Sequence, residues 1–314
     1  MSPTDTDNAF MDLSGAVSSH SDNPYDALLE ACANDPAEIQ IRYKTHRETR
    51  NEQQKAKILA PDFPGFSIDP ILEKLINPEA YPGYIDPRNC LVFWARPPER
   101  IRELVGTLQA QLRDLAPSLW LMPLDCLHMT VLEMAHSRTE AEIAAMVDKM
   151  EGKIQEIVDY NYDHRARLVE PMLSYDAAAI ALSFLPAAGE GLSGNEASKD
   201  AYTYHHLRRD ISALCKSTGV EVASRYVVPS SHLTIARFVT QKDFAKEESE
   251  GLSSKKVARL VEKLDEVNTN LKLQYWLKEA GTWTVGEEKG LVCRRGTVWY
   301  GGGETQHSGR GFDA

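Results

Sequence analysis

The 314-residue sequence predicts an α+β protein of two pseudo-symmetric lobes. Each lobe is expected to hold an antiparallel sheet with flanking helices, with a functional site in the cleft between them. Three observations lead to this prediction. A His-x-Thr stretch occurs twice, each time where apolar and polar residues alternate as in a half-buried strand. Each copy lies between two segments with helical apolar spacing. An apolar run of strand length precedes the first of these two segments in each half of the chain.

The two His-x-Thr stretches carry the candidate site. They are His128-Met129-Thr130-Val131 and His232-Leu233-Thr234-Ile235. Residues two apart share one face of a strand, so His128 and Thr130 point together and the residues between them point into a core. The same holds for His232 and Thr234. If the two halves are related by an approximate two-fold axis, both His–Thr pairs face one groove.

The first block begins with an apolar run at 91–95, and the prolines at 97 and 98 favour the opening of a helix. That helix has an apolar stripe at Ile101, Leu104, Val105, Leu108, Leu112 and Leu115. A short strand at 119–122, the His128 strand and a second helix follow. The second block repeats the order, with strands at 167–175 and 178–185, a helix near 207–215, the His232 strand and a helix over 257–271. Strands are then expected within 273–300.

Composition divides the chain into four parts. Residues 1–23 are polar and predict a disordered tail. Residues 24–88 predict a helical N-terminal extension, partly a solvated arm, that ends in a proline-rich lead-in. The bilobal domain is placed at 89–300, with lobes of about 89–165 and 166–300 between which strands can exchange. The glycine-rich residues 301–314 predict a flexible tail.

The charge balance limits the partners. Acidic residues number 46 against 35 basic ones, and the net charge of −11 opposes binding of a long duplex nucleic acid. A local basic cleft can still hold a short anion, so a small nucleotide or an RNA end is the expected substrate. No apolar run reaches the length of a membrane span, and five scattered cysteines predict reduced thiols. We expect a cytoplasmic monomer without a signal peptide or membrane partner, and leave the nucleus open.

The paired motifs suit phosphodiester chemistry. One group must take a proton from the attacking oxygen and another must protonate the leaving oxygen, and two imidazoles can share these roles. Thr130 and Thr234 can donate hydrogen bonds to the non-bridging oxygens as charge shifts in the transition state. This scheme requires no metal and no cofactor. The alternative is that His128 and His232 are unrelated structural residues on amphipathic strands.

The paired motifs, together with the strand Leu91-Val92-Phe93-Trp94-Ala95 and its following Pro97-Pro98, resemble the two-histidine (2H) phosphoesterase superfamily. That group includes 2′-5′ RNA ligase-like proteins and cyclic nucleotide phosphodiesterases, and the resemblance covers roughly residues 89–300. It implies a bilobal α+β fold and metal-independent opening or hydrolysis of a 2′,3′-cyclic phosphate or related diester. It also implies that His128 and His232 are the acid–base pair and that Thr130 and Thr234 bind phosphate.

Several residues fit this interpretation less directly. Glu133 and Met134 follow the first motif where an apolar continuation is expected. Arg237, with Arg294 and Arg295, can steer a phosphate, but strict strand alternation places Arg237 on the face opposite His232. The pair His205-His206 lacks other ligands at metal-binding spacing, which favours surface histidines. Base-stacking candidates, for which core packing is the default, are Tyr202, Tyr204, Tyr226, Trp276, Trp283 and Trp299.

Three functions therefore stand as hypotheses. The first is a metal-independent phosphodiesterase acting on 2′,3′-cyclic phosphates or related cyclic or RNA-end diesters. The second is a binding module of the same fold that grips a nucleotide or RNA end without turnover. The third is a metal-dependent hydrolase that uses His with Asp or Glu.

Overall fold

The computed structural model describes residues 11–15, 21–224, 227–247 and 250–312. Its helices are α1 (Asp26–Ala31), α2 (Pro36–Leu59), α3 (Pro70–Ile76), α4 (Glu99–Leu115), α5 (Glu140–Asp163), α6 (Asn195–Ser198), α7 (Tyr204–Ser217) and α8 (Ser254–Gln274). Its strands are β1 (Asn89–Ala95), β2 (Trp120–Leu121), β3 (Met129–Arg138), β4 (Arg167–Tyr175), β5 (Ala179–Pro186), β6 (Ser231–Arg237), β7 (Trp283–Thr284), β8 (Leu291–Gly296) and β9 (Glu304–Ser308).

The fold is the predicted mixture of helices and antiparallel sheet. Among the described residues, nine strands form one curled sheet in the order β7-β4-β5-β6-β3-β1-β8-β9, and β2 pairs with β6 outside this path. The two halves meet where β3 lies beside β6, and a single pair, Met129 opposite Leu233, joins them. The two His-x-Thr segments therefore run side by side at the centre of the sheet.

The two halves exchange elements, as the sequence-based division allowed. Strands β8 and β9 come from the second half of the chain but extend the sheet beside β1, and β2 from the first half pairs with β6. Helix α4 follows β1 yet packs against β6, and α7 follows β5 yet packs against β3. Each lobe is therefore completed by segments from the other half.

The helices cover the sheet with the apolar stripes seen in the sequence. Helix α5 packs on β8, β9, β1 and β3, and α8 packs on β4. Helix α5 begins at a capping box, in which the Thr139 hydroxyl accepts from the Glu142 N–H and the Glu142 carboxylate accepts from the Thr139 N–H. This cap gives the Thr139 and Glu142 N–H groups partners at the start of α5, and only Thr139 separates β3 from α5.

The N-terminal extension is part of the core and not a solvated arm. Helix α2 packs on β4, β5 and α8, and it buries Ile39, Tyr43 and Ile58. Of the tail expected at 1–23, residues 1–10 and 16–20 lie outside the described residues. Residues 11–15 lie against α2, where Ser14 is buried and the Leu13 N–H donates to His46 Nδ1 at 3.1 Å.

The C-terminal stretch differs from the flexible tail expected at 301–314. Glu304–Ser308 form β9 and pair with β8, which would otherwise present an open edge. Residues 313–314 lie outside the described part.

All five cysteines are free thiols, four of them buried. Within the described ranges, no helix has the length and apolar character needed to cross a bilayer.

Candidate functional site

All four predicted site residues line one cleft on the sheet: His128, Thr130, His232 and Thr234. The single pair between β3 and β6 explains this arrangement. With Met129 opposite Leu233, antiparallel register brings each histidine beside the threonine of the other strand. All four side chains are half-buried, so they meet solvent only through the cleft.

His128 is held in one tautomer and one plane. Its Nδ1 lies 2.8 Å from the Cys126 carbonyl oxygen. A carbonyl can only accept, so Nδ1 carries the hydrogen and Nε2 of the neutral ring keeps its lone pair. The indole of Trp94 stacks on the imidazole with centroids 3.7 Å apart and an interplanar angle of 15°. The ring is therefore oriented, with an unprotonated Nε2.

His232 has a different partner. Its Nδ1 lies 2.9 Å from the Ser230 hydroxyl oxygen. A hydroxyl can donate or accept, so this contact is compatible with the neutral ring in either tautomer and with the protonated ring. His232 can therefore change protonation state without losing its hydrogen bond.

Both imidazoles have pKa values below the ordinary range. Burial, with a smaller contribution from Arg96, lowers the pKa of His128 to about 3. Burial lowers the pKa of His232 to about 4, with contributions from Arg50 and Arg208. Both rings are neutral at pH 7 in the free protein. A bound phosphate would add negative charge beside them and raise both pKa values.

Glu133 lines the cleft because of a bulge in β3. Thr130 lies opposite Trp94, and Leu132 lies opposite Phe93, so Val131 is the additional residue. The bulge changes the alternation, and the next side chain facing the cleft after Thr130 is Glu133. The unexpected polar residue after the first motif is thus a cleft residue and not a break in the core pattern.

Arg237 also lines the cleft, and the expectation that it faces away from His232 is wrong. Thr234 lies opposite Ala181 and Ala236 lies opposite Ile180, which leaves Ile235 as an additional residue in β6. This bulge turns Arg237 to the same side as Thr234. Arg237 also lies 3.6 Å from the Asp69 carboxylate, which contributes to its placement.

Arg208 is a cleft residue that the sequence analysis missed. It comes from α7 and is only 2% exposed. Its guanidinium donates to the Val131 carbonyl at 3.1 Å, to the Val228 carbonyl at 2.9 Å and to the Tyr25 hydroxyl at 3.3 Å. No periodicity signals it, because its position depends on how α7 packs against β3.

The two histidines of α7 are buried, although the sequence predicted that they would lie at the surface. His205 is 1% exposed and His206 is 6% exposed. His205 Nδ1 lies 2.9 Å from the Tyr43 hydroxyl, and its Nε2 lies 2.9 Å from the Tyr25 carbonyl oxygen. His205 therefore ties the N-terminal extension to α7. Across the described residues, no three His, Cys, Asp or Glu side chains converge as metal ligands would.

Of the aromatic residues considered for base stacking, some lie in the core and one lies in the cleft. Trp299 lines the cleft. Trp283 and Tyr204 are fully buried in the core, and Tyr226 lies outside the described residues. Trp299 is therefore the base-stacking candidate that the fold brings to the site.

Comparisons with known proteins do not identify a family. No family model matches the sequence, and no curated protein matches it. Matches occur among solved structures. One is the crystal structure of TT0787 of Thermus thermophilus, which is 15% identical, covers 70% of this chain and 96% of its own, and has a TM-score of 0.34. At that similarity, the interpretation of the site depends on its own side chains.

Proposed function

We propose that this protein is a metal-independent phosphodiesterase that acts on 2′,3′-cyclic phosphates or related cyclic or RNA-end diesters. The observation that carries the proposal is the convergence of His128, Thr130, His232 and Thr234 in one cleft. The buried charge of Arg208 and the partly buried charge of Arg237 make that cleft suitable for an anion.

The tautomers suggest which histidine has which role. His128 Nε2 has the lone pair needed to take a proton from an attacking water, whose oxygen forms the new bond to phosphorus. The bond from phosphorus to the departing ribose oxygen breaks, and His232, protonated once the anionic substrate has raised its pKa, supplies the proton to that oxygen. Thr130 and Thr234 donate to the non-bridging oxygens.

The test is turnover of 2′,3′-cyclic nucleotides, and of short RNAs with cyclic phosphate ends, in the presence of excess chelator. Wild type should turn over at least one substrate. His128→Ala and His232→Ala should each lose about 10²-fold or more, the usual contribution of a general acid or base. His136→Ala is the matched control, because His136 lies on the same strand β3 outside the cleft lining and should retain full activity.

Full activity in both single variants would overturn the proposal. Activity that chelator abolishes would favour the metal-dependent hydrolase. Saturable nucleotide binding without turnover, weakened in both variants, would favour the binding module. The expected substrate, monomeric state, cytoplasmic location and lack of duplex or membrane partners stay predictions.

A further inference from the structure

Two arginines, Arg96 and Arg294, lie beside the cleft and form no ion pair with a carboxylate among the described residues. Arg294 on β8 lies opposite Val92 on β1, and Val92 lines the cleft, so Arg294 is on the cleft face of the sheet. Arg96 lies just beyond the end of β1, two residues after Trp94. Their guanidinium carbons are 5.3 Å and 4.9 Å from the centroid of the Trp94 ring, the ring on which His128 stacks.

The hydrogen bonds of both guanidinium groups go to carbonyl and hydroxyl oxygens of the described residues. Arg96 donates to the Leu127 carbonyl at 3.0 Å and more weakly to the Asp125 carbonyl at 3.5 Å. Arg294 donates to the Thr305 hydroxyl at 2.6 Å and to carbonyls of the 301–303 turn. Within the described ranges, neither guanidinium forms an ion pair with a carboxylate.

Three other arginines near the cleft each form an ion pair with a described aspartate. The ion pairs are Arg50 with Asp176, Arg88 with Asp86, and Arg237 with Asp69. Burial lowers the pKa of Arg96 below its ordinary value, and the nearby Arg294 guanidinium lowers it further. In a chain of net charge −11, two adjacent cations that form no ion pair with a described carboxylate are suited to an external anion.

We propose that Arg96 and Arg294 form a second phosphate subsite, which takes the phosphodiester next to the one that reacts. This inference rests on the proposed function and narrows its substrate class. A substrate with its reacting phosphate beside His128 would extend across Trp94 toward both guanidinium groups. The preferred substrate is then an oligonucleotide with a terminal 2′,3′-cyclic phosphate, and not a cyclic mononucleotide.

The experiment compares kcat/KM for a nucleoside 2′,3′-cyclic phosphate with that for a dinucleotide ending in the same group. Wild type should favour the dinucleotide about tenfold or more, and the Arg96→Gln/Arg294→Gln variant should lose that advantage. The salt dependence for the dinucleotide should also become shallower, by about 0.7 in logarithmic slope for each lost contact. Arg294→Lys keeps the charge and should retain most of the advantage.

Arg295→Gln is the matched control. Arg295 is the next residue on β8, and its partner is Glu304 at 3.3 Å, so the dinucleotide advantage should be unchanged. The inference would be overturned if wild type had equal kcat/KM for both substrates. It would also be overturned if the double variant kept the wild-type ratio of kcat/KM between dinucleotide and mononucleotide. An advantage shown by a 5′-phosphorylated cyclic mononucleotide and not by the dinucleotide would also overturn it.

A binding measurement separates this inference from the proposed function. If no substrate turns over, titration calorimetry with a dinucleotide carrying a 3′-phosphate still tests the subsite. Wild type should bind it about tenfold more tightly than the double variant does, and equal affinity would overturn the subsite alone. Thermal melts of each variant identify any that fail to fold, because Arg294 also holds the 301–303 turn.

Discussion

At the scale of single residues, the cleft places two neutral imidazoles beside the guanidinium groups of Arg208 and Arg237. The paired motifs placed His128 and His232 correctly on one cleft, because the two-residue period of a strand is readable from sequence. Their protonation was not readable, because it depends on burial and on partners such as the Cys126 carbonyl. In this free state the cleft can provide a base at once, and it can provide an acid only after an anion has bound.

The buried histidine His205 gives a prediction about stability and pH. Burial lowers its pKa from 6.5 to about 3, and both ring nitrogens are already satisfied in the neutral form. Below pH 6.5 the unfolded chain binds a proton that the native protein does not, so stability falls as pH decreases from 6.5 toward 3. At pH 5 this one residue should cost about 2 kcal/mol of unfolding free energy.

Urea unfolding of wild type and His205→Gln at pH 7 and pH 5 measures this effect. Glutamine can both donate and accept, so the variant can retain hydrogen bonds to the Tyr25 carbonyl and the Tyr43 hydroxyl. The variant should lose about 2 kcal/mol less than wild type between the two pH values. The same loss in both proteins would show that His205 is protonated in the native state at pH 5.

At the scale of elements, regular patterns were predictable and irregular ones were not. The apolar stripe of α4 and the strand at 167–175 appear where the sequence placed them. The bulges at Val131 and Ile235 could not be predicted, because a bulge depends on pairing with a neighbouring strand. Strand β9 was missed for the same reason, because its glycine-rich surroundings suggest a tail and only its pairing with β8 fixes it.

The bulge in β6 gives a prediction for Arg237. Because it turns the guanidinium toward Thr234, Arg237→Lys should raise KM for a cyclic phosphodiester about tenfold while preserving the fold. Lysine keeps the charge but cannot make the bidentate hydrogen bonds that a guanidinium group makes with phosphate. Steady-state kinetics measure KM, and Arg295→Lys on β8 serves as the control that should leave it unchanged. An unchanged KM in Arg237→Lys would mean that Arg237 serves only its contact with Asp69.

At the scale of the whole molecule, charge is distributed unevenly. The chain carries a net charge of −11, yet Arg208 and Arg237 line the cleft and Arg96 lies next to it. We expect the overall field to repel a long polyanion and the cleft to attract a short one at close range, because exposed charges are screened beyond roughly 8 Å at physiological salt. We therefore expect the cleft to select a small or terminal phosphodiester.

The exchange of strands between halves predicts that neither half folds alone. Residues 89–165 would lack β8, which pairs with β1 along its length, so the backbone N–H and C=O groups on that edge of β1 would be unpaired. Residues 166–300 would contain β8 without either of its partners, β1 and β9. Each half, expressed separately, should lack near-ultraviolet circular dichroism and a cooperative melt, whereas the whole chain should show both. A cooperative melt in either half would mean that a lobe reaches its native packing without the exchanged strands, and that the exchange contributes little to stability.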